Sequence, residues 1–150
     1  MQLGVRFLAC RDRTIAQVER YLASKGASPL QVRQAIGRLS DLSYLNDYDY
    51  AQRWVDKRLA GRPMGQERLK TELQAKGISE VLAARVTAEV FRETDERVLA
   101  QRTLEAVQRH GRRLTSSQMV RLLRQRGFSE ETIDRMIEKS GITEEPGYEE

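Results

Sequence analysis

One short phrase occurs three times in the chain, as Lys25-Gly26-Ala27-Ser28, Lys76-Gly77-Ile78-Ser79 and Arg126-Gly127-Phe128-Ser129. The copies are 51 and then 50 residues apart. In each copy the basic residue suits the negative end of a helix, the glycine suits the left-handed position after it, and the serine can accept the free N–H groups of a new first turn. Each copy therefore predicts that one helix ends and another begins, within a helical unit that is used three times.

The sequence outside the phrase also favours helices. Capping boxes, in which a hydroxyl residue and a glutamine three positions later serve the same helix start, are predicted at Thr14, Ser28 and Thr115. Apolar residues recur at helical spacing, and no segment alternates with a period of two for long enough to indicate a strand. We predict an all-α protein of eight or nine helices, built as three tandem three-helix repeats in an elongated or curved array.

The spacing of the phrase sets the predicted boundaries. Repeat 1 is expected to cover residues 1–45, repeat 2 residues 46–93 and repeat 3 residues 94–141, followed by an acidic tail at 142–150 that we expect to be disordered. Repeat 1 shows two clear helices and a further short candidate at residues 3–11. Asp47 is positioned to cap the first helix of repeat 2, which should run to about Ala60.

The charge of the chain is unevenly distributed. The formal net charge of the 150 residues is +4, yet four glutamates and no basic residues lie in the predicted tail. The remainder holds 26 basic and 18 acidic side chains, or a net charge of +8. A basic body of this kind predicts a polyanionic or acidic partner, with the tail as a solvated end or a competitor for the basic surface.

Compartment and assembly are predicted from what the sequence lacks. The single cysteine, Cys10, cannot form a disulfide within the chain, which indicates a reducing compartment. No apolar run approaches the length needed to cross a bilayer, and the N-terminal residues do not resemble a signal peptide. We therefore expect a cytoplasmic protein, monomeric and without a membrane partner.

No residue pattern in the sequence indicates catalysis. The single histidine, His110, lies about 100 positions from Cys10, and neither has the neighbours of a nucleophile or metal site. Asp47, Asp49 and Asp56 could be read as a metal-binding cluster, but helix capping and ion pairing explain them better. We predict a protein that is not an enzyme, with no cofactor, no metal and no catalytic residue.

The basic residues are the stronger functional signal. Between Arg109 and Arg126 the chain contains no acid, and its six arginines are Arg109, Arg112, Arg113, Arg121, Arg124 and Arg126. A second group in repeat 2 is diluted by acids and comprises Arg53, Lys57, Arg58, Arg62, Arg68 and Lys70. Because guanidinium groups match pairs of phosphate oxygens, we take these six arginines as candidate contacts to nucleic acid or another polyanion. Four residues of the second group are further candidates: Arg58, Arg62, Arg68 and Lys70. For the second group, ordinary solvation explains the charges equally well.

Several stretches, taken in order, resemble the RecX regulators of the RecA recombinase. They are Leu42-Ser43-Tyr44-Leu45-Asn46-Asp47-Tyr48-Asp49-Tyr50-Ala51, Arg62-Pro63-Met64-Gly65, Leu69-Lys70-Thr71-Glu72-Leu73-Gln74-Ala75-Lys76-Gly77-Ile78 and Leu122-Leu123-Arg124-Gln125-Arg126-Gly127-Phe128-Ser129. The resemblance covers about residues 5–140. One departure is Ser43, which stands where a glycine is frequent in that family.

The resemblance implies a non-enzymatic modulator built from tandem three-helix repeats. Proteins of that family bind the RecA nucleoprotein filament along its groove, inhibit strand exchange, ATP hydrolysis and coprotease activity, and bind single- and double-stranded DNA weakly and without sequence preference. Three alternatives remain from the residues alone. One is a helix-turn-helix DNA-binding protein of transcription or nucleoid organisation, and another is a structural adaptor with no affinity for nucleic acid. The third is an enzyme, which no constellation of residues supports.

Overall fold

The structure is a computed structural model that describes residues 1–10 and 12–141, and the predicted acidic tail lies outside this range. The described residues form nine α-helices and no strand. Their bounds are α1 Gln2–Cys10, α2 Ile15–Ser24, α3 Pro29–Asp41, α4 Asp47–Gly61, α5 Gln66–Ala75, α6 Glu80–Glu93, α7 Glu96–Gln108, α8 Ser116–Gln125 and α9 Glu130–Ser140. The all-α class is confirmed, and the short N-terminal candidate is a true helix, α1.

The predicted helix ends are confirmed in atomic detail. The hydroxyl groups of Thr14, Ser28 and Thr115 each accept a backbone N–H three residues on, and each capping box is complete. The glycines of the repeated phrase, Gly26, Gly77 and Gly127, have φ values of 89°, 95° and 78°. These left-handed conformations are accessible to glycine at little cost, which is why the same residue ends a helix three times.

The chain forms two compact units. The first comprises Met1–Asp56 and Lys70–Val86, and the second comprises Lys57–Leu69 and the described residues from Thr87 onward. The division falls inside α4, α5 and α6, so the predicted repeat 2 contributes residues to both units. The repeat boundaries at residues 45 and 93 stay predictions, because the repeats divide the chain by its sequence pattern and the two units divide it by compactness in space.

One buried cluster of the first unit lies among α1, α2 and α3. Val18 and Leu39 are fully buried there, and Leu22, Ala35 and Leu45 complete the cluster. All except Leu45, which follows α3, come from the helix faces that the apolar spacing defines, so burial of those faces holds the helices together.

A row of four side chains flanks this core. The rings of Phe7 and Tyr21 stack with centroids 4.1 Å apart. The Arg13 guanidinium lies 4.0 Å from the Phe7 centroid, and the Lys25 ammonium lies 5.7 Å from that of Tyr21. Cation–π attraction therefore acts on both outer faces of the stack and ties α1 to α2.

The core of the second unit lies among α7, α8 and α9. Its buried members are Leu99, Ala100, Leu104, Met119, Leu123, Phe128, Ile133 and Met136, and Leu59 and Phe91 pack against it. The buried Phe128 comes directly after the phrase glycine, Gly127, so the turn that ends α8 also delivers an aromatic anchor to the core.

The cap of α4 was assigned to the wrong residue. Asn46, not Asp47, caps this helix, because its Oδ1 accepts the Asp49 N–H at 3.1 Å. Asp47 is already in the first turn, and its Oδ1 accepts the Ile15 N–H at 2.9 Å, at the start of α2. The prediction was wrong because a backbone N–H 32 residues away binds this carboxylate, which local spacing cannot reveal.

The turn between α3 and α4 carries the departure noted at Ser43. This residue has a φ of 62°, and it is the one non-glycine with positive φ reported for the described chain. A residue with a β-carbon is strained in this conformation, so the serine lowers the stability of the fold relative to a glycine at this position.

No helix in residues 1–10 and 12–141 is long and apolar enough to cross a membrane.

Candidate anion-binding surface

The end of α8 is anchored on the start of α5 within the second unit. The Gly65 N–H donates to the Arg126 carbonyl at 2.7 Å, and the Arg68 guanidinium donates to the Gln125 carbonyl. A β-carbon added at Gly127 would lie 2.3 Å from the β-carbon of Arg68, so the two backbones meet where only glycine fits. We call this backbone contact the second junction. It holds the backbone of Arg126 in place and so sets the position from which its side chain extends.

The second junction brings three positive side chains together. Burial, then repulsion from Arg62 and from Arg68, lowers the pKa of the half-buried Arg126 guanidinium. Arg62 follows the end of α4 and Arg68 lies in the first turn of α5, so cations from both basic groups of the sequence meet here. The sequence indicated the two groups but not their convergence.

A surface cavity of about 400 Å³ opens beside this cluster. Arg62, Arg112 and Arg126 line it together with His110. Its remaining wall is mostly apolar and is formed by Gly61, Pro63, Thr103, Ala106 and Val107. A concave site with a few convergent polar groups on an apolar wall is the usual form of a binding site.

The cavity cations lack acidic partners among the described residues. No carboxylate of residues 1–10 and 12–141 forms an ion pair with Arg62, Arg112 or Arg126. Like charges held close together, one of them partly buried at Arg126, repel one another, so the arrangement favours binding of an anionic group.

Arg124 has a different environment from the other arginines of its run. Its Nε and Nη2 donate to the two carboxylate oxygens of Glu130 at 2.7 and 2.9 Å. The hydrogen bond between them lowers the pKa of the Glu130 carboxyl and raises that of the Arg124 guanidinium. The run is free of acids along the chain but not in space, because the start of α9 supplies a carboxylate.

The other candidate residues are dispersed. Arg113 lines a separate cavity beside Lys139, although it is the sequence neighbour of Arg112. The remaining candidates are not brought to the cavity beside Arg126: Arg109 and Arg121 are exposed, and Arg58 and Lys70 are partly buried. Of the ten candidate contacts, the structure therefore gathers Arg62, Arg68, Arg112 and Arg126.

His110 is exposed and lines the cavity, although no sequence pattern assigned it to a binding site. The signal that could have located it is its position two residues before Arg112, in the same turn. The second junction could have been located from the spacing of the repeat, because an equivalent contact lies about 50 residues earlier in the described chain.

This equivalent contact, the first junction, lies in the first unit. The Thr14 hydroxyl donates to the Lys76 carbonyl at 2.7 Å, and a β-carbon at Gly77 would lie 2.5 Å from the β-carbon of Ala16. Gly65 follows Thr14 by 51 residues, and Arg126 follows Lys76 by 50. In both junctions the phrase of one predicted repeat therefore rests on the start of the middle helix of the preceding repeat.

A carboxylate completes each junction. Asp47 accepts the Ile15 N–H at the start of α2, and the Glu96 Oε1 accepts the Gln66 N–H at 3.4 Å at the start of α5. Glu96 also accepts the Ser129 and Thr132 hydroxyls at 2.9 and 2.7 Å. An acid suits the positive end of a helix, so each junction caps a helix through a residue distant in sequence.

Nothing in the described chain assembles a metal site. No three His, Cys, Asp or Glu side chains in that part of the protein lie close enough to hold an ion. The three aspartates Asp47, Asp49 and Asp56 do not form such a group.

Tandem three-helix repeats define the class of this protein as a helical-repeat protein, and its second unit carries the cationic cavity described above. Two domain families match the chain: one described as "RecX, first three-helix domain", at residues 1–39, and one described as "RecX, second three-helix domain", at residues 46–86. Together with the similarities below, they show that the chain belongs to the RecX family.

The relatives agree with this assignment. The protein named regulatory protein RecX in Mycobacterium leprae is 32% identical, covering 90% of this chain and 81% of its own length. The protein of that name in Lacticaseibacillus paracasei is 27% identical, and this chain spans 58% of its length. The crystal structure of RecX from Lactobacillus salivarius has a TM-score of 0.80 over 93% of both chains, at 23% identity, so that likeness concerns the fold.

Proposed function

We propose that this protein is a regulator that binds the RecA nucleoprotein filament and DNA and inhibits the recombinase, ATPase and coprotease activities of RecA. The observation that carries the proposal is the meeting of Arg62, Arg112 and Arg126 at one cavity, without a described carboxylate partner. The names of the relatives, each a regulatory protein RecX, supply the regulatory part. The proposal includes a monomeric, cytoplasmic protein that uses no cofactor.

Binding alone is sufficient for such a role. A ligand that prefers one state of a polymer shifts its population toward that state by the difference in affinity, and no catalytic group is required. Repeats that each present cations can lie along a polyanionic filament, and phosphate contacts of this kind give affinity without reading base sequence. The affinity for DNA should therefore be weak, salt-dependent and insensitive to sequence.

The direct test adds the purified protein to RecA assembled on single-stranded DNA. We expect ATP hydrolysis and strand exchange to fall as the protein approaches stoichiometry with RecA. Substitution of both Arg62 and Arg112 by Glu should weaken the effect, because it reverses charge at exposed positions. The matched comparison is between the single variants Arg112→Glu and Arg113→Glu, which change the charge equally, the first inside the cavity and the second outside it. No effect of the unmodified protein on either activity would remove the proposal.

The same samples distinguish the helix-turn-helix alternative. A transcription factor prefers one duplex sequence, so competition between unrelated duplexes should show a strong preference if that alternative holds. For phosphate-based binding, unrelated duplexes should compete equally. About five phosphate contacts on a single strand would give a slope near −3.5 for the logarithm of affinity against that of salt concentration. A slope of zero would support the adaptor without nucleic-acid affinity.

A further inference from the structure

The polar wall of the cavity is assembled from three separate places in the second unit. Arg62 comes from the segment after α4, Arg112 from the turn before α8, and Arg126 from the end of α8. The carbonyl of Arg126 is held by the Gly65 N–H, and the adjacent Gln125 carbonyl is held by Arg68. The cationic groups therefore converge by folding, not by neighbourhood in the sequence, and the backbone under Arg126 is fixed in advance.

The three arginines that line the cavity, Arg62, Arg112 and Arg126, have no acidic partner among the described residues. Arg126 is half-buried and faces the positive charges of Arg62 and Arg68, and both burial and repulsion lower the pKa of its guanidinium. Groups that repel one another and lose water are stabilised by an anion placed between them. Guanidinium groups bind phosphate and carboxylate oxygens through paired N–H donors, so these cations by themselves define a site for an oxyanion.

The apolar part of the wall narrows the class of ligand. Pro63, Ala106 and Val107 give the cavity a non-polar side next to its cationic side. The cavity, at about 400 Å³, is larger than one phosphate group and is open to solvent through the exposed Arg62 and Arg112. A phosphate that carries a sugar fits both sides, because the deoxyribose can cover the apolar wall while the phosphate meets the cations.

We propose that this cavity is a phosphate-binding site that receives one backbone phosphodiester of a single DNA strand, with Arg62, Arg112 and Arg126 as its donors. The proposal deepens the proposed function, on which it rests, by naming a defined position at which one phosphate of the strand is held. The phosphodiester makes no covalent bond with the protein, and the strand is free to leave.

His110 provides a reporter for this site. It is the single histidine of the chain and it lines the cavity, so its imidazole signals in an NMR spectrum are unambiguous. We expect a short oligothymidylate without terminal phosphates to shift these signals in the full-length protein, with saturation. Inorganic phosphate at the same phosphate concentration should shift them less, because it lacks the sugar. A larger shift with inorganic phosphate, or no shift with the oligonucleotide, would overturn the proposal.

Single substitutions distinguish DNA binding at this cavity from binding by the general positive charge of the surface. Arg62→Ala and Arg112→Ala should each weaken oligothymidylate binding by about tenfold, the effect of losing a charged hydrogen-bonding group. The salt slope should become shallower by about 0.7 for each lost phosphate contact. Arg113→Ala carries the same change of charge one residue away, at another cavity, and should leave the His110 shift intact.

Failure of this inference can be told from failure of the proposed function. If the unmodified protein inhibits RecA but Arg112→Ala and Arg113→Ala weaken DNA binding equally, the strand is held by diffuse charge and the site is refuted. If His110 responds to the oligonucleotide while RecA activity is unaffected, the site stands and the RecA role fails. An acidic peptide that shifts His110 more than the oligonucleotide would show that the cavity serves a protein partner, and would also refute the inference.

Discussion

Replacement of glycine by alanine at four positions tests the geometry of the junctions. Gly127 has positive φ and a close backbone neighbour, since its added β-carbon would lie 2.6 Å from the Arg68 nitrogen. Gly26 has positive φ but open space around it. Gly65 lacks the positive φ, yet its β-carbon would lie 2.1 Å from the Gly127 oxygen, and Gly37 has neither feature. The four variants therefore separate backbone strain from steric overlap.

The expected magnitudes follow from these two contributions. The left-handed conformation costs a residue with a β-carbon about 1–2 kcal/mol, which is the expected loss in unfolding free energy for Gly26→Ala. An extra methyl group in a packed contact costs about 1–3 kcal/mol, which is expected for Gly65→Ala. Gly127→Ala incurs both, or about 2–5 kcal/mol. Gly37→Ala, in the middle of α3, should stabilise by about 0.5–1 kcal/mol.

The assay is urea denaturation followed by far-UV circular dichroism, with the four variants and the unmodified protein measured in parallel. Alanine restricts the unfolded chain to a similar degree at every position, so this contribution largely cancels when the variants are compared. The decisive quantity is the difference between Gly127→Ala and Gly26→Ala. If the two variants lose the same stability, the backbone contact between Gly127 and Arg68 does not exist as described, and the junction argument is refuted.

Three further predictions concern single hydrogen bonds and one strained turn. Thr14→Ala should lower the free energy of unfolding by about 0.5–1.5 kcal/mol more than Thr115→Ala does in denaturation experiments. Both variants lose a capping box, but only Thr14→Ala also loses a hydrogen bond to a distant carbonyl. Equal losses would contradict this. Ser43→Gly should raise stability by about 1 kcal/mol, since it removes the left-handed strain; a decrease would show that the serine is not strained. Burial raises the pKa of the Asp47 carboxyl above its ordinary 3.8 and outweighs the hydrogen bond from the Ile15 N–H, which lowers it. The folded state therefore holds the proton more tightly, and stability relative to Asp47→Asn should fall as pH rises from below 3.8; a rise over that range would reverse the argument.

Much of the helical architecture could be predicted because its determinants are local. A capping box such as Thr14 with Gln17 involves residues three positions apart, and the phrase glycines need only their own backbone conformation. The repeat was visible because the phrase returns at nearly constant spacing. The same argument failed for Asp47, where a distant N–H competes for the carboxylate.

The candidate site was predicted only in part. The run of arginines up to Arg126 indicated a polyanionic partner, but it gave no reason to pair Arg126 with Arg62. It also implied that Arg124 is as available as its neighbours, whereas Glu130 binds it. Side chains on an exposed surface are placed by the contacts of the backbone beneath them, and for Arg126 those contacts come from α5.

The sequence by itself determined the all-α class, the ends of the helices and the excess of positive charge, since each depends on residue type and on neighbours within about one turn. Only the tertiary structure decided which charges meet. The turn at Gly127 rests on Gly65 and Arg68, and this contact across about 60 residues brings the guanidinium of Arg126 beside those of Arg62 and Arg68. The physical reason is that such a contact depends on two backbones approaching closely in space, and no spacing within either segment records that approach.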